Sequence, residues 1–313
     1  MQKPVFAPGL KRTPRTPGSA LNRDNTAGYI FILPFIIGLI AFTIIPFFTS
    51  LYLSFTEYNI LSPAKWIGLG NFRKMFFEDK LFWTSFGVTF KFALIQVPVK
   101  LLVSLLVALV LARNSKAIGY FRAAFYIPSL MGGSVAVALL WKQLFSYNGV
   151  INQLLALLGL PANNKWLGSP DTALGVLISL GVWQFGSSML IFLAAIKNIP
   201  ASYHEAAIVD GAGPVKRFFK ITLPMLTPII FFNLINQVIG AFQAFNSSYL
   251  ITNGKPLNTT LYYGVHLYNR AFTHYEMGYG SAMAWFMLII IAFFTALIFR
   301  SSSAWVYYES EGR

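Results

Sequence analysis

The sequence predicts an all-α, polytopic membrane protein with six transmembrane helices. Three observations predict it. Of the 313 residues, 56% are hydrophobic and 11% charged, whereas a soluble domain carries about a quarter charged residues. Several apolar runs reach the ~20 residues that a bilayer-crossing helix needs. No stretch between those runs is long enough to bury a core of its own, and no internal repeat is visible. The chain has no cysteine, which excludes disulfides and thiolate chemistry. Its net charge of +14 reflects basic residues collecting on the cytoplasmic side of a membrane, with no nucleic-acid partner expected.

Residues 1–28 are polar and proline-rich, with Lys3, Lys11, Arg12, Arg15 and Arg23, and read as a disordered cytoplasmic tail. The apolar run that follows exceeds a signal-peptide core and lacks a small-residue cleavage site, so it is a first span. Six spans are expected at 29–53, 86–112, 123–143, 172–196, 225–249 and 281–299. An inside amino terminus places fourteen basic residues in the cytoplasm and eight outside, with Lys91 and Lys100 within a span. Both termini are therefore expected in the cytoplasm, the second as a tail at 301–313, flanking a transmembrane domain at 29–300. Trp83, Trp141, Trp166 and Trp285 fall near the expected outer ends, where indoles anchor at the interface. His266 and His274 read as outer surface residues too isolated for a metal site.

A charged element at 200–224 interrupts the last cytoplasmic connection. Ser202 and Glu205 have the spacing of a capping box, and Gly211 is suited to the left-handed end of a helix. Gly213-Pro214 restarts the chain, and a second helix is expected to end near Pro224. Glu205, Ala206, Ala207, Gly211, Ile221, Leu223 and Pro224 fill an E-A-A-x3-G-x9-I-x-L-P pattern. By this pattern the chain resembles the membrane subunits of binding-protein-dependent ABC importers. "WIGLGNF", "FRAAFYIPSLMGGSVAVALLWKQLF", "FQAFNSSYLITNGKP" and "MGYGSAMAW" are similar to the sugar-permease branch, the six-helix relatives of maltose and glycerol-phosphate permeases. Lys255 departs from that branch, which usually has glycine there.

The resemblance implies the type I importer permease fold in a bacterial cytoplasmic (inner) membrane. It implies that 200–224 is a coupling element, with Glu205, Ala206, Ala207, Asp210, Gly211, Leu223 and Pro224 engaging an ATPase. The expected partners are a second homologous permease subunit, two ATP-binding subunits forming a homodimer, an extracytoplasmic solute-binding protein, an oligosaccharide and membrane lipid. The outer segments 147–170 and 252–264 are candidate contacts for the binding protein. No G-x4-G-K-[ST] occurs, so the chain is expected to bind no cofactor and to be no enzyme, ATP and Mg being used by partner subunits. Capping of its own helix is the other role open to Glu205.

Polar residues at membrane depth mark a pathway or helix-packing contacts. Asn233, Asn236, Gly240, Gln243 and Ser247 share one face if span five is a continuous helix. Gln96, Lys100 and Ser104 form a second row in span two. Lys100 has no acidic partner in any expected span; a second subunit, water, a backbone carbonyl or an acidic sugar could supply one. An ion-gradient-driven secondary transporter is the alternative reading, but it needs acidic residues within spans and an inverted repeat. The sequence has neither.

Overall fold

The computed structural model describes residues 17–112 and 118–307, with side chains from residue 28 onward. The chain divides into two compact units between Tyr52 and Leu53. In the first, α1 (Pro17–Leu39) passes through a widened π-turn at Ile40–Ile44 into α2 (Ile45–Ser54). Gly28–Ser54 is long and apolar enough to cross a membrane. Residues 1–16 of the expected disordered tail lie outside the described residues. From Pro17 the backbone is helical, proline being suited to a first helical position, so the tail expected to reach residue 28 is shorter.

The second unit opens with a two-residue antiparallel ladder, β1 (Thr56–Glu57) on β2 (Lys65–Trp66). It is followed by α3 (Gly70–Arg73) and α4 (Lys80–Leu111). Asn71 of "WIGLGNF" is buried and donates to the carbonyls of Ser54 and Thr56 at 2.9 and 2.8 Å. Asp79 caps α4, accepting from the Leu81 amide at 3.0 Å, six residues before the expected start of that span.

α4 is the central helix, packed against most later elements. Its buried positions, Phe82, Ser85, Thr89, Phe92, Gln96, Ser104 and Ala108, recur at helical spacing although nearly the whole segment is apolar. In lipid, apolar side chains gain little by facing other helices, so small and polar residues share these contacts with Phe82, Phe92, Val97 and Leu111.

Two expected spans are broken. α5 (Ile118–Met131) and α6 (Val135–Leu144) meet at 103°, and α8 (Ala173–Trp183) and α9 (Gly186–Asn198) at 42°. The helical periodicity expected over 123–143 therefore stops at Gly132-Gly133, where Ser134 caps α6 by accepting from Val137 N at 3.3 Å. The two breaks hold each other. Gln184 Nε2 donates to Gly132 O at 3.0 Å, and Ser129 Oγ donates to Gln184 O at 3.1 Å while accepting from Ser187 N. Gly186 lets α9 touch α5, since a Cβ there would meet Phe125 O at 2.4 Å. Between α6 and α8 lies the short α7 (Val150–Leu157).

α10 (Ala201–Val209) and α11 (Pro214–Arg217) precede a π-turn at Phe218–Thr222, which leads into α12 (Leu223–Phe242). Pro224 therefore does not end a helix. The widened turn immediately before it relieves the clash that a proline ring imposes on the preceding turn. α12 stops at Phe242 rather than 249. A loop rich in left-handed residues then leads to α13 (Tyr263–Tyr268) and α14 (Met277–Ser302). In that loop Gly254 takes the positive φ of 82° and Lys255 does not, so the departure at Lys255 is accommodated without strain. After α14 the chain folds back: Val306 is buried and Tyr307 N donates to Thr227 Oγ1 at 2.8 Å.

Among the described residues, four helices are long and apolar enough to span a membrane, or six spans if each bent pair counts as one.

His266 is no surface residue. It is buried and hydrogen-bonded to Asp79 Oδ2 at 2.8 Å, where the Tyr279 hydroxyl also donates at 2.8 Å and Arg270 pairs at 3.0 Å. Glu276, paired with Lys74 and Arg270, extends the cluster. Burial works to raise the Asp79 carboxyl, but His266, Tyr279 and Arg270 outweigh it and hold it below the ordinary carboxylate value. Burial also pushes His266 down, more than Asp79 raises it. His266 is thus a neutral donor at pH 7. Its partner lies 187 residues away, a separation at which the sequence carries no pairing signal. His274 is exposed, as expected.

Candidate functional site

The two helix breaks, α4 and the end of α12 enclose a cavity of about 350 Å³. Gln96, Lys100, Gly240, Gln243 and Ser247 line it; Asn233 and Asn236 do not. Asn233 is buried and donates back to Ile229 O at 3.0 Å, and Asn236 donates to Phe232 O at 2.8 Å. Each uses an amide N–H within its own helix. The cavity instead receives Gln237, which donates to Ser188 Oγ at 2.9 Å. The lining face is rotated by roughly 60° from the expected row. Gln243 reaches the cavity as the C-cap of α12, and Ser247 from the short helical segment that follows at 246–252.

Three further groups line it: Gln184 and the Gly132-Gly133-Ser134 corner from the breaks, and Asn246 from beyond α12. A run of glycines within an apolar span was the available signal for that corner. Gln184 has no comparable signal, because its position depends on where α8 stops. Ser104 belongs to neither row's purpose; it is buried, donating to the carbonyls of Lys100 and Phe185.

The cavity has a polar character with a defined sign. Gln96 is 5% exposed, and its Oε1 has no hydrogen-bond partner. Gly181 makes room for it, since a Cβ there would lie 2.9 Å from Gln96 Nε2. Lys100 pairs with no acidic side chain among the described residues. The amino-terminal end of the ten-residue α6 borders the same space through Ser134, and a helix start favours negative charge. Among the described residues no carboxylate lines the cavity. The arrangement can accept hydrogen bonds from hydroxyls, donate to them through amides, and neutralise one anion.

The second candidate surface is α10. Its helix begins after Pro200 with no side-chain cap. Ser202 lies inside the first turn, where its hydroxyl cannot serve as an N-cap, so the expected capping box is not formed. The other end is built as the glycine predicts. Gly211 has φ +73°, its N–H donates to Ile208 O at 3.0 Å, and Ala212 N donates to Ala207 O at 2.8 Å. These are the two bonds of a Schellman motif. Glu205, Ala206, Ile208, Val209, Asp210 and Gly211 are exposed, and Ala207 is half-buried. Leu223 and Pro224 are half-buried at the start of α12, and Pro224 with Tyr203 and Tyr307 lines a small cavity beside α10. Among the described residues no group of three or more His, Asp or Glu side chains is placed to hold a metal ion.

Comparison with known proteins agrees with this arrangement. Residues 25–306 match the family described as "Binding-protein-dependent transport system inner membrane component". The chain is 53% identical over 294 residues to the probable ABC transporter permease protein YesP of Bacillus subtilis (strain 168), covering 93% of this chain and 95% of YesP. It is 31% identical to the trehalose/maltose transport system permease protein MalF of Thermococcus litoralis, covering 89% and 94%. It is 32% identical to the probable starch degradation products transport system permease protein AmyD of Thermoanaerobacterium thermosulfurigenes, covering 84% and 89%. In fold it is similar to a chain of a bacterial alginate ABC transporter crystallised with an alginate pentasaccharide-bound periplasmic protein. The TM-score is 0.77 at 22% identity, over 92% of this chain and 97% of that one. With its apolar helices, broken spans and full-length match, the chain belongs to the family of inner-membrane permease components of binding-protein-dependent transport systems.

Proposed function

We propose that this chain is the permease subunit of an ATP-driven importer for an oligosaccharide bearing an acidic group. An extracytoplasmic solute-binding protein delivers the sugar, and alternating access carries it across the cytoplasmic membrane. A second permease chain completes the pathway, and two ATP-binding subunits dock on the exposed face of α10. Both termini are cytoplasmic, ATP and Mg act on the partner subunits, and this chain performs no catalysis. Nucleotide-driven closure of the ATPases draws the α10 elements together. The continuous path from α11 through the π-turn into α12 passes that movement to the cavity wall.

The observation that carries the cargo assignment is Lys100. A charge at membrane depth costs at least about 2.5–3.5 kcal/mol, and the cavity offers it no carboxylate. A substrate carboxylate beside Lys100 and the α6 start offsets that cost. The glutamine and asparagine amides meet hydroxyls as donors and acceptors, and the unpartnered Gln96 Oε1 accepts one more. The trehalose, maltose and starch products in the names of MalF and AmyD support a sugar cargo without bearing on its charge; the acidic polysaccharide alginate of the fold neighbour supports the carboxylate.

The test is uptake by the complete complex in proteoliposomes supplied with binding protein and ATP. An oligogalacturonide is compared with its carboxyl-reduced neutral counterpart. Lys100→Met lowers uptake of the acidic sugar at least tenfold and leaves any neutral uptake unchanged. Equal effects on both sugars, or none, would overturn the acidic assignment. Uptake by the permease chains alone, without ATP, would overturn the importer itself.

A further inference from the structure

We propose that the leucine face of α7, in the loop joining α6 to α8, inserts into the headgroup–acyl boundary of the bilayer. The binding protein does not dock on that face. Val150, Leu154, Leu157 and Leu158 are 45%, 50%, 82% and 73% exposed, and their i, i+4, i+7, i+8 spacing places them on one side of the helix.

The chain cannot roll these side chains inward. On the opposite side Asn152 is buried; its Nδ2 donates to Tyr147 O and Asn164 O at 2.8 and 2.9 Å, and its Oδ1 accepts from Trp166 Nε1 at 2.8 Å. Gly149 fixes the entry, since a Cβ there would meet Leu144 O at 2.4 Å. Three hydrogen bonds and a backbone contact therefore hold the leucines outward.

The chemistry of the surroundings identifies the occupant as lipid. No charged residue occurs between Lys142 and Lys165, so seating the face in the bilayer moves no charge toward the hydrocarbon. An exposed apolar helix face binds the bilayer surface in proportion to the apolar area it buries there. The face is also continuous in sequence with a membrane segment: Leu139 and Leu140 of α6 are exposed, as lipid-facing residues are. Lys142, Lys165 and the half-buried Trp166 flank it, the residue types that anchor at the membrane–water boundary.

The test uses the absence of cysteine from this chain. Leu157→Cys, Leu158→Cys and, as a polar-surface control, Asn163→Cys are labelled with bimane in the complete complex, its partner chains freed of cysteine. The complexes are reconstituted without binding protein into phosphatidylcholine vesicles with or without brominated acyl chains. Variants whose ATP-driven uptake matches the parent are compared. Brominated lipid quenches the labels at 157 and 158 at least twofold more than the label at 163, and aqueous iodide gives the reverse order. Iodide reaching 157 and 158 as readily as 163 would place the face in water. Quenching by neither agent would place it under another protein chain. Either result overturns the proposal, and neither depends on the cargo carried.

Discussion

Replacing Gly211 tests the coupling element most directly, because its cost is separable into backbone and contact terms. A Cβ at Gly211 meets nothing within 4 Å, yet φ is +73°. The penalty is therefore conformational alone. A non-glycine residue in the left-handed region costs about 1–2 kcal/mol, while asparagine tolerates it better than other side chains. Relaxing the bend releases the bonds from Gly211 N to Ile208 O and from Ala212 N to Ala207 O, and with them the direction in which α10 leaves α11. If the bent form is the one that docks, 1–2 kcal/mol reduces its share by a factor of about 5–30. Binding-protein-stimulated ATP hydrolysis and sugar uptake in proteoliposomes should then fall in the order Gly, Asn, Ala, Val at position 211. The β-branched side chain is the worst. A valine variant with parental uptake, or an asparagine variant as impaired as valine, would refute the reasoning.

Two further outcomes follow from packing and charge. Gly186→Ala forces a Cβ to 2.4 Å from the Phe125 carbonyl, a backbone atom that cannot swing away, so α5 and α9 separate. A lowered thermal midpoint of the assembled complex checks it, with the exposed Gly87, which has open space, as the tolerated comparison. In the Asp79 cluster, Asp79 and His266 both have folded-state values below their ordinary ones, so stability is lost as pH falls. The His266 contribution begins to fade below about pH 6.5 and that of Asp79 below about 3.9. Thermal midpoints measured from pH 7.5 to 5 should decline, and His266→Gln should flatten the decline. Asp79→Ala, which leaves His266 and the Tyr279 hydroxyl without their acceptor and Arg270 with Glu276 alone, should lower the midpoint at pH 7.5 further than His266→Gln does.

Much of the local chemistry was legible in the chain. The Gly211 turn and the Pro214 restart appear where the residue types require them, because backbone conformation at those positions depends on φ alone. Gln96 and Lys100 stand out because a polar residue in an apolar run needs a reason. The capping box at Ser202 failed for an equally local cause: the N-cap is Pro200 rather than Ser202, two residues earlier, and that shift put the hydroxyl inside the helix. Pro224 failed through context, the π-turn before it having absorbed the ring.

By itself, the sequence determined the solvent, the helical content and the positions of glycine-dependent turns. Each follows from the transfer energy or steric limits of individual residues. The tertiary structure alone decided the break between α8 and α9, the rotation that exchanges Asn236 for Gln237 in the cavity, and the pairing of His266 with Asp79. In an almost uniformly apolar span, hydrophobic periodicity does not say which face turns inward. Small residues, close backbone contacts and buried hydrogen bonds set that direction, and these exist only once the helices have met.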